Sequence, residues 1–300
     1  MQRLLFLLAY PFLWLISMLP FRLFYLLSDV FFVLVYFVFG YRKKVVLANL
    51  ALVFPEKSQK ELKAIRRKFY HHFCDMMLEM VRTMNMDIEA LKTYYHVSNP
   101  EFIRELEKKN SILIVCAHYA NWEWNVSINN YVESKGYAVY QKIGNPYFDQ
   151  LIKKIRGRYN TIPITQEETV RTVMRNVQTN TRSIYGMVSD QSPMAQKAQY
   201  WDKFMGITVP IYNGPEQLAR KLDLAVLFLR VTKVKRGYYS AEFLPITTYG
   251  KSTEENEITQ QFLQLTEDLI REEPAYYLWT HRRWKHRGKA PKPDPGLLAT

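Results

Sequence analysis

SILIVCAHYANWEW, residues 111–124, decides the fold. Ile112 to Ala117 form a short continuous apolar run, which reads as a buried strand. His118 follows at the carboxyl end of that strand. Tyr119 to Trp124 then read as a loop entering a helix. On one helix His118 and Glu123 could not face each other, because five steps of about 100° put them on different sides. They meet only if His118 precedes the helix and Glu123 reaches back from its first turn. The segment is therefore a candidate strand-to-helix active site.

Working outward, further strand-like runs fall at 137–141, 161–164, 183–189, 225–231 and 238–244. Helical patterns alternate with most of them, at about 122–134, 147–157, 166–179, 214–222 and 255–272. This alternation predicts an α/β fold, a largely parallel or mixed sheet flanked by helices. Reactive groups in such folds sit beyond the carboxyl ends of strands. Upstream, Ser58 and Glu61 form a capping box opening a long helix with apolar positions at Ile65, Phe69 and Phe73. His71 and His72 on that helix point in different directions and read as surface or packing residues.

The N-terminus is apolar. Leu4 to Phe21 is 18 residues without a charge, and the stretch after Arg22 is interrupted only by Asp29. Roughly 20 apolar residues span a bilayer. No small-residue cleavage site follows, so the segment reads as a retained anchor rather than a signal peptide. It fits one span with an interfacial helix or a tight hairpin. Arg42, Lys43 and Lys44 follow it while only Arg3 precedes it, which puts the rest of the chain in the cytoplasm. The expected organisation is a membrane anchor over 1–44, a catalytic domain over 45–285 and a disordered Pro- and Lys-rich tail over 286–300.

The formal charge is +13 and hydrophobic residues make up 48% of the chain. The basic excess suits anionic lipid or an acidic carrier. Nucleic acid would use similar residues, but the anchor argues against it. The two cysteines, Cys74 and Cys116, fit no metal spacing and suggest a reducing compartment. No phosphate-binding glycine motif is present, so a nucleotide cofactor has no sequence support, and with no metal spacing at the cysteines no metal is expected.

A histidine with an acid five residues on is a weak signal alone. His96 and Glu101 match it too, and they read as a helix start with Glu101 at the positive dipole end. His118 differs because it ends a buried strand. A carboxylate on the far ring nitrogen would fix its tautomer, making it a general base. No serine or cysteine stands where a covalent nucleophile is needed, and Cys116 reads as packing. The residues alone leave catalysis and a buried, satisfied histidine both open.

The whole chain adds weight. It resembles the lipid A biosynthesis acyltransferase family, the late lauroyl/myristoyl-type enzymes of bacteria with an outer membrane, related to phosphatidylinositol mannoside acyltransferases. The resemblance runs in order through "RKKVVLANLALVFPEKSQKE", "MLEMVRTM", "HYANWE", "VYQKIGNPYFDQLIKKIRGRYN", "YGMVSDQSP", "KFMGITVPIYNGPEQLAR" and "EEPAYYLWTHRRWK". It implies transfer of a fatty acyl chain from acyl carrier protein, or a related thioester, to a hydroxyl of a lipid or glycolipid acceptor at the inner membrane. It implies His118 as the base and Glu123 as the acid that relays charge. Arg156 and Arg158 match a basic segment that contacts the oxyanion or acceptor, with Arg158 the better match. Asn121 is expected to orient the loop or contact the tetrahedral intermediate, Asn145 to cap the following helix while lining the site, Asp190 and Gln191, at a strand's carboxyl end, to take a supporting or pocket role, and Asn213 and Glu216 to act as capping residues. "YYLWTHRRW" is expected to snorkel at the membrane interface or grip a phosphate. Lys142 stands where many relatives carry arginine, which leaves the acceptor open between lipid A, a lysophospholipid and an aminolipid. A non-catalytic lipid-binding protein on the same fold is the other alternative.

Overall fold

A computed structural model describes residues 1–291. The expected tail falls mostly on 292–300, outside the described residues. The N-terminal apolar region forms α1 (Gln2–Met18) and α2 (Phe21–Val33), which runs on as a π-helical turn to Val38. Next come α3 (Lys43–Val53), α4 (Gln59–Arg82) and α5 (Ile88–Tyr94). The capping box at the start of α4 forms as its residues dictate: Ser58 Oγ accepts the Glu61 N–H, and Glu61 Oε2 accepts the Ser58 N–H at 2.7 Å.

The rest alternates between strands and helices: β1 (Tyr95–Val97), α6 (Pro100–Glu107), β2 (Ile112–Cys116), β3 (Lys135–Tyr140), α7 (Pro146–Gly157), β4 (Thr161–Thr165), α8 (Gln166–Gln178) and β5 (Ser183–Val188). A small hairpin of β6 (Tyr200–Phe204) and β7 (Ile207–Ile211) leads to α9 (Gly214–Leu222). β8 (Ala225–Lys235), β9 (Tyr238–Thr247) and α10 (Glu257–Glu272) complete the fold. The large sheet has the order β1-β9-β8-β2-β5-β3-β4. It is parallel except where β8 meets β9. The expected α/β sheet is therefore present. Each of the six strand-like runs is a strand of it, and β8 and β9 extend further than the alternating pattern shows.

β2 lies between β5 and β8, buried along its whole length. Its register sets Cys116 opposite Val188 of β5. Two residues past each strand, His118 and Asp190 are thus neighbours by construction.

The expected helix over 122–134 is a 3₁₀ helix, Trp122–Asn130. Asn121 caps it, its Oδ1 accepting the Trp124 N–H at 3.2 Å. Ala120 before it sits in the left-handed region at φ 49°. Such a conformation is uncommon for alanine and needs support from its surroundings. The support comes from two sides. The Ala120 N–H donates to the Tyr276 carbonyl at 3.0 Å, and the Ala120 carbonyl lies 3.2 Å from His72 Nε2.

Tyr276 belongs to the stretch expected to face the membrane, and there the structure differs. Tyr277, Trp279, Arg283 and Trp284 are buried. Leu278 N–H donates to the His118 carbonyl at 3.0 Å, and Tyr119 bridges to Tyr277. Arg283 donates to the Pro210 carbonyl and lies over the Phe204 ring. Asn49 of α3 donates to the Trp279 and His281 carbonyls, both at 2.9 Å. This segment clamps the loop that carries His118. Its aromatic rings are large enough to fill core space, which composition alone does not distinguish from a lipid-facing belt.

Candidate active site

His118 Nδ1 lies 2.7 Å from Asp190 Oδ1, and the same oxygen accepts the His118 backbone N–H at 3.0 Å. Burial alone would raise the Asp190 carboxyl. The electrostatic pull of His118 and the hydrogen bonds from its ring and backbone outweigh burial and hold the carboxyl below the usual carboxylate range. An ionised Asp190 accepts only, so the ring proton resides on Nδ1. In the neutral imidazole this leaves the lone pair on Nε2. It faces the Gln191 side-chain amide at 3.3 Å. The Trp122 ring stands edge-on to the imidazole, 5.2 Å between centroids, and limits its rotation.

Glu123 does not supply that carboxylate. It pairs with Arg156 of α7, whose Nη2 reaches both of its oxygens at 3.0 and 3.1 Å. The backbone explains the difference. The turn at Ala120 and the 3₁₀ start direct Glu123 toward α7, while the parallel register delivers Asp190 to the imidazole.

Trp122, Glu123 and Arg156 line a cleft. Its floor is one face of the sheet: Ile114 and Cys116 of β2, Gly186 and Val188 of β5, and Leu229 of β8. Val126 and Ile128 of the 3₁₀ helix also line it. Strand residues two apart share a face, and the register Ile114 to Gly186 places these side chains together. Cys116 is part of this floor, and burial pushes its thiol up to about 12. A thiol so raised is a poor nucleophile at neutral pH, consistent with packing.

The other expected site residues divide. Gln191 touches the imidazole, and Arg156 reaches the cleft. Arg158, the better sequence match, turns away: it donates to the Met84 and Met86 carbonyls after α4. Asn145 caps α7 by accepting the Tyr147 N–H at 3.0 Å and also reaches the Gln2 carbonyl. Asn121 is fully buried and donates to Glu79 Oε2 at 2.8 Å, so it holds the loop. Glu216 caps α10, accepting from the Thr259 N–H at 2.9 Å.

Glu79 and His281 are two contributors that sequence reasoning missed. Glu79 of α4 accepts from Asn121, Tyr25 and Tyr239, each at 2.8 Å. A glutamate in an amphipathic helix carries no mark of this task. His281 accepts the Ser192 N–H at 3.3 Å. Burial lowers it to about 4 despite the opposing pull of Asp190. Among the described residues no cluster of histidine, cysteine and acidic side chains is arranged to hold a metal.

A mostly parallel α/β sheet with a histidine–aspartate pair at its carboxyl edge, near a largely apolar cleft, has the form of an enzyme active site. The family model for bacterial lipid A biosynthesis acyltransferases matches residues 1–286, and the chain belongs to that family. It is 22% identical over 258 residues to the lipid A biosynthesis palmitoleoyltransferase of Escherichia coli (strain K12), covering 82% of this chain and 79% of that protein. A lipid A biosynthesis acyltransferase of Shigella flexneri matches at 22% identity over the same shares. The protein is an acyltransferase.

Proposed function

We propose that the protein transfers a fatty acyl chain from an acyl-carrier-protein thioester to a hydroxyl of a lipid A precursor, with His118 as general base. The observation that carries this reading is the His118–Asp190 pair, whose imidazole lies against Trp122, a residue that lines the apolar cleft. Nε2 takes the proton of the acceptor hydroxyl as that oxygen bonds to the thioester carbon. The C–S bond then breaks, and the imidazolium returns its proton to the departing sulfur. Asp190 keeps the ring oriented and supports its positive charge during the step. Gln191 marks the place on Nε2 that the acceptor hydroxyl takes.

The cleft holds the acyl chain, leaving the thioester carbonyl near its polar end. Arg156, fixed there by Glu123, supplies donors to the oxyanion. Its bonds to Glu123 both use Nη2, so Nη1 and Nε remain for the substrate. Glu123 is thus a positioning residue for the arginine. The net basic charge favours an acidic carrier and an anionic membrane face. The reaction takes place at the cytoplasmic side of the inner membrane.

The test is acyl transfer by the purified full chain. Labelled acyl thioester on acyl carrier protein is offered with a lipid A precursor, a lysophospholipid and an aminolipid as separate acceptors. Product on the lipid A precursor, abolished by His118→Ala, supports the reading. Product on another acceptor alone overturns the acceptor assignment, and full activity of the variant overturns the base.

A further inference from the structure

We infer that α1 and α2 do not cross the membrane but lie in the plane of one leaflet, as a hairpin welded to the catalytic domain. This rests on the membrane location proposed above and specifies its geometry. By length and composition Phe21–Val38 would pass as a span. Its contacts say otherwise.

One face of α2 belongs to the catalytic core. Phe24, Ser28, Phe32 and Tyr36 are buried, one per turn. The same face carries polar ties. Tyr25 donates to Glu79, Ser28 Oγ donates to Asp75 Oδ1 at 2.7 Å, and Asp29 pairs with Arg236 at 2.6 Å and with His71 at 2.9 Å. Arg236 sits in the β8–β9 connection and Asp75 in α4, so these ties join α2 to both. Through Glu79 they continue to Asn121 in the catalytic loop.

Asp29 lies at the middle of the apolar stretch, and its side chain is 44% exposed, with Arg236 at 32% beside it. In a span these groups would stand at the centre of the hydrocarbon, where charged side chains are costly. The tip of the β8–β9 hairpin and the middle of α4 would be drawn in with them. A helix lying flat avoids this, because its polar side stays with the domain.

The outward side is then the membrane side. Leu4, Leu8, Phe12 and Leu15 are exposed on α1 at helical spacing, as are Leu23, Leu26, Val30 and Phe37 on α2. Exposed basic residues flank both helices: Arg3 and Arg22 at their starts, Arg42 and Lys44 just beyond. An apolar face rimmed by cations suits an anionic leaflet. α1 also packs on α7, with Phe6 against Tyr147 and Phe148, so the element that carries Arg156 sits next to the lipid.

The experiment reads depth rather than turnover, so its failure is distinct from failure of the catalytic reading. Spin labels are placed on the full chain as Leu8→Cys, Leu15→Cys, Leu26→Cys and Phe37→Cys. Cys74 and Cys116 are both buried and compete little for label. The variants are bound to vesicles of phosphatidylethanolamine and phosphatidylglycerol, and depth is measured by collision with oxygen and a water-soluble relaxant. The expected result is four similar depths, about 5–10 Å below the headgroups, with binding lost when phosphatidylglycerol is omitted. Depths that progress across a core of about 30 Å overturn the inference. So do labels that meet no lipid, which would mark the face as a contact with a second copy or another protein.

Discussion

Asp190 Oδ1 accepts both the ring and the backbone N–H of His118, at 2.7 and 3.0 Å, and so fixes the imidazole at two points. Glu123, five residues from His118 in the chain, instead holds Arg156. The two carboxylates therefore separate in their effects. Asp190→Asn removes the ionised acceptor and favours the wrong tautomer. We expect its kcat to fall about 10²–10⁴-fold. Glu123→Gln leaves the base intact and loosens the arginine, so its loss in kcat is smaller. Steady-state kinetics of the two variants, compared at matched thermal stability, check the order.

Glu79 is a buried acceptor for three donors from α2, β9 and the catalytic loop. Glu79→Ala leaves all three unpaired, each at about 1–3 kcal/mol. Urea unfolding is expected to show a loss of several kcal/mol, within the range of the largest single-residue effects. Glu79→Gln keeps the shape and part of the bonding, and is expected to lose less stability while lowering kcat more than it changes KM.

Gly186 lies on the floor of the cleft that we propose holds the acyl chain, so it is the position at which to test chain-length preference. A Cβ there meets only the Tyr137 carbonyl, at 3.7 Å, an ordinary contact that leaves the backbone undisturbed. Gly186→Leu fills cleft volume instead. The preferred acyl chain is expected to shorten, with the fold unchanged. Competition among acyl thioesters of graded length, read by mass spectrometry of the product, measures the shift.

His281 gives a stability signal at acid pH. Its folded-state value is about 4 against an ordinary 6.5, with burial the main cause. Between these values the unfolded chain binds a proton that the folded one does not. That contribution to stability is complete above pH 6.5 and is lost as pH falls toward 4. Facing groups are Asp190, which opposes the shift, and Arg283, His118 and Lys285, which reinforce it. His281→Gln, which can still accept the Ser192 N–H, is expected to flatten the slope of stability against pH in this window. Denaturant midpoints at a series of pH values check it.

The sheet was legible because its strands are short apolar or β-branched runs separated by amphipathic helices. Ile112–Cys116 is the clearest case, and its carboxyl end located His118. The partner of His118 was not legible. The family resemblance implies only a supporting or pocket role for Asp190; its meeting with His118 depends on β5 lying next to β2, and strand order is not written in local pattern. Proximity along the chain favoured Glu123, which the left-handed turn at Ala120 then points elsewhere. The same limit applies to Arg156 and Arg158. They differ by two residues on the end of α7, and only packing decides that one reaches the cleft and the other caps carbonyls beyond α4. Trp279 and Trp284 misled by composition, since aromatic and basic residues serve a core clamp as well as a lipid interface.

The most direct measurement is the rate of acyl transfer to the lipid A precursor by His118→Ala, under saturating acyl carrier protein thioester, with folding verified by circular dichroism. The account predicts a fall of about 10²–10⁴-fold with thioester binding retained. A rate within a few-fold of the unaltered protein would contradict it.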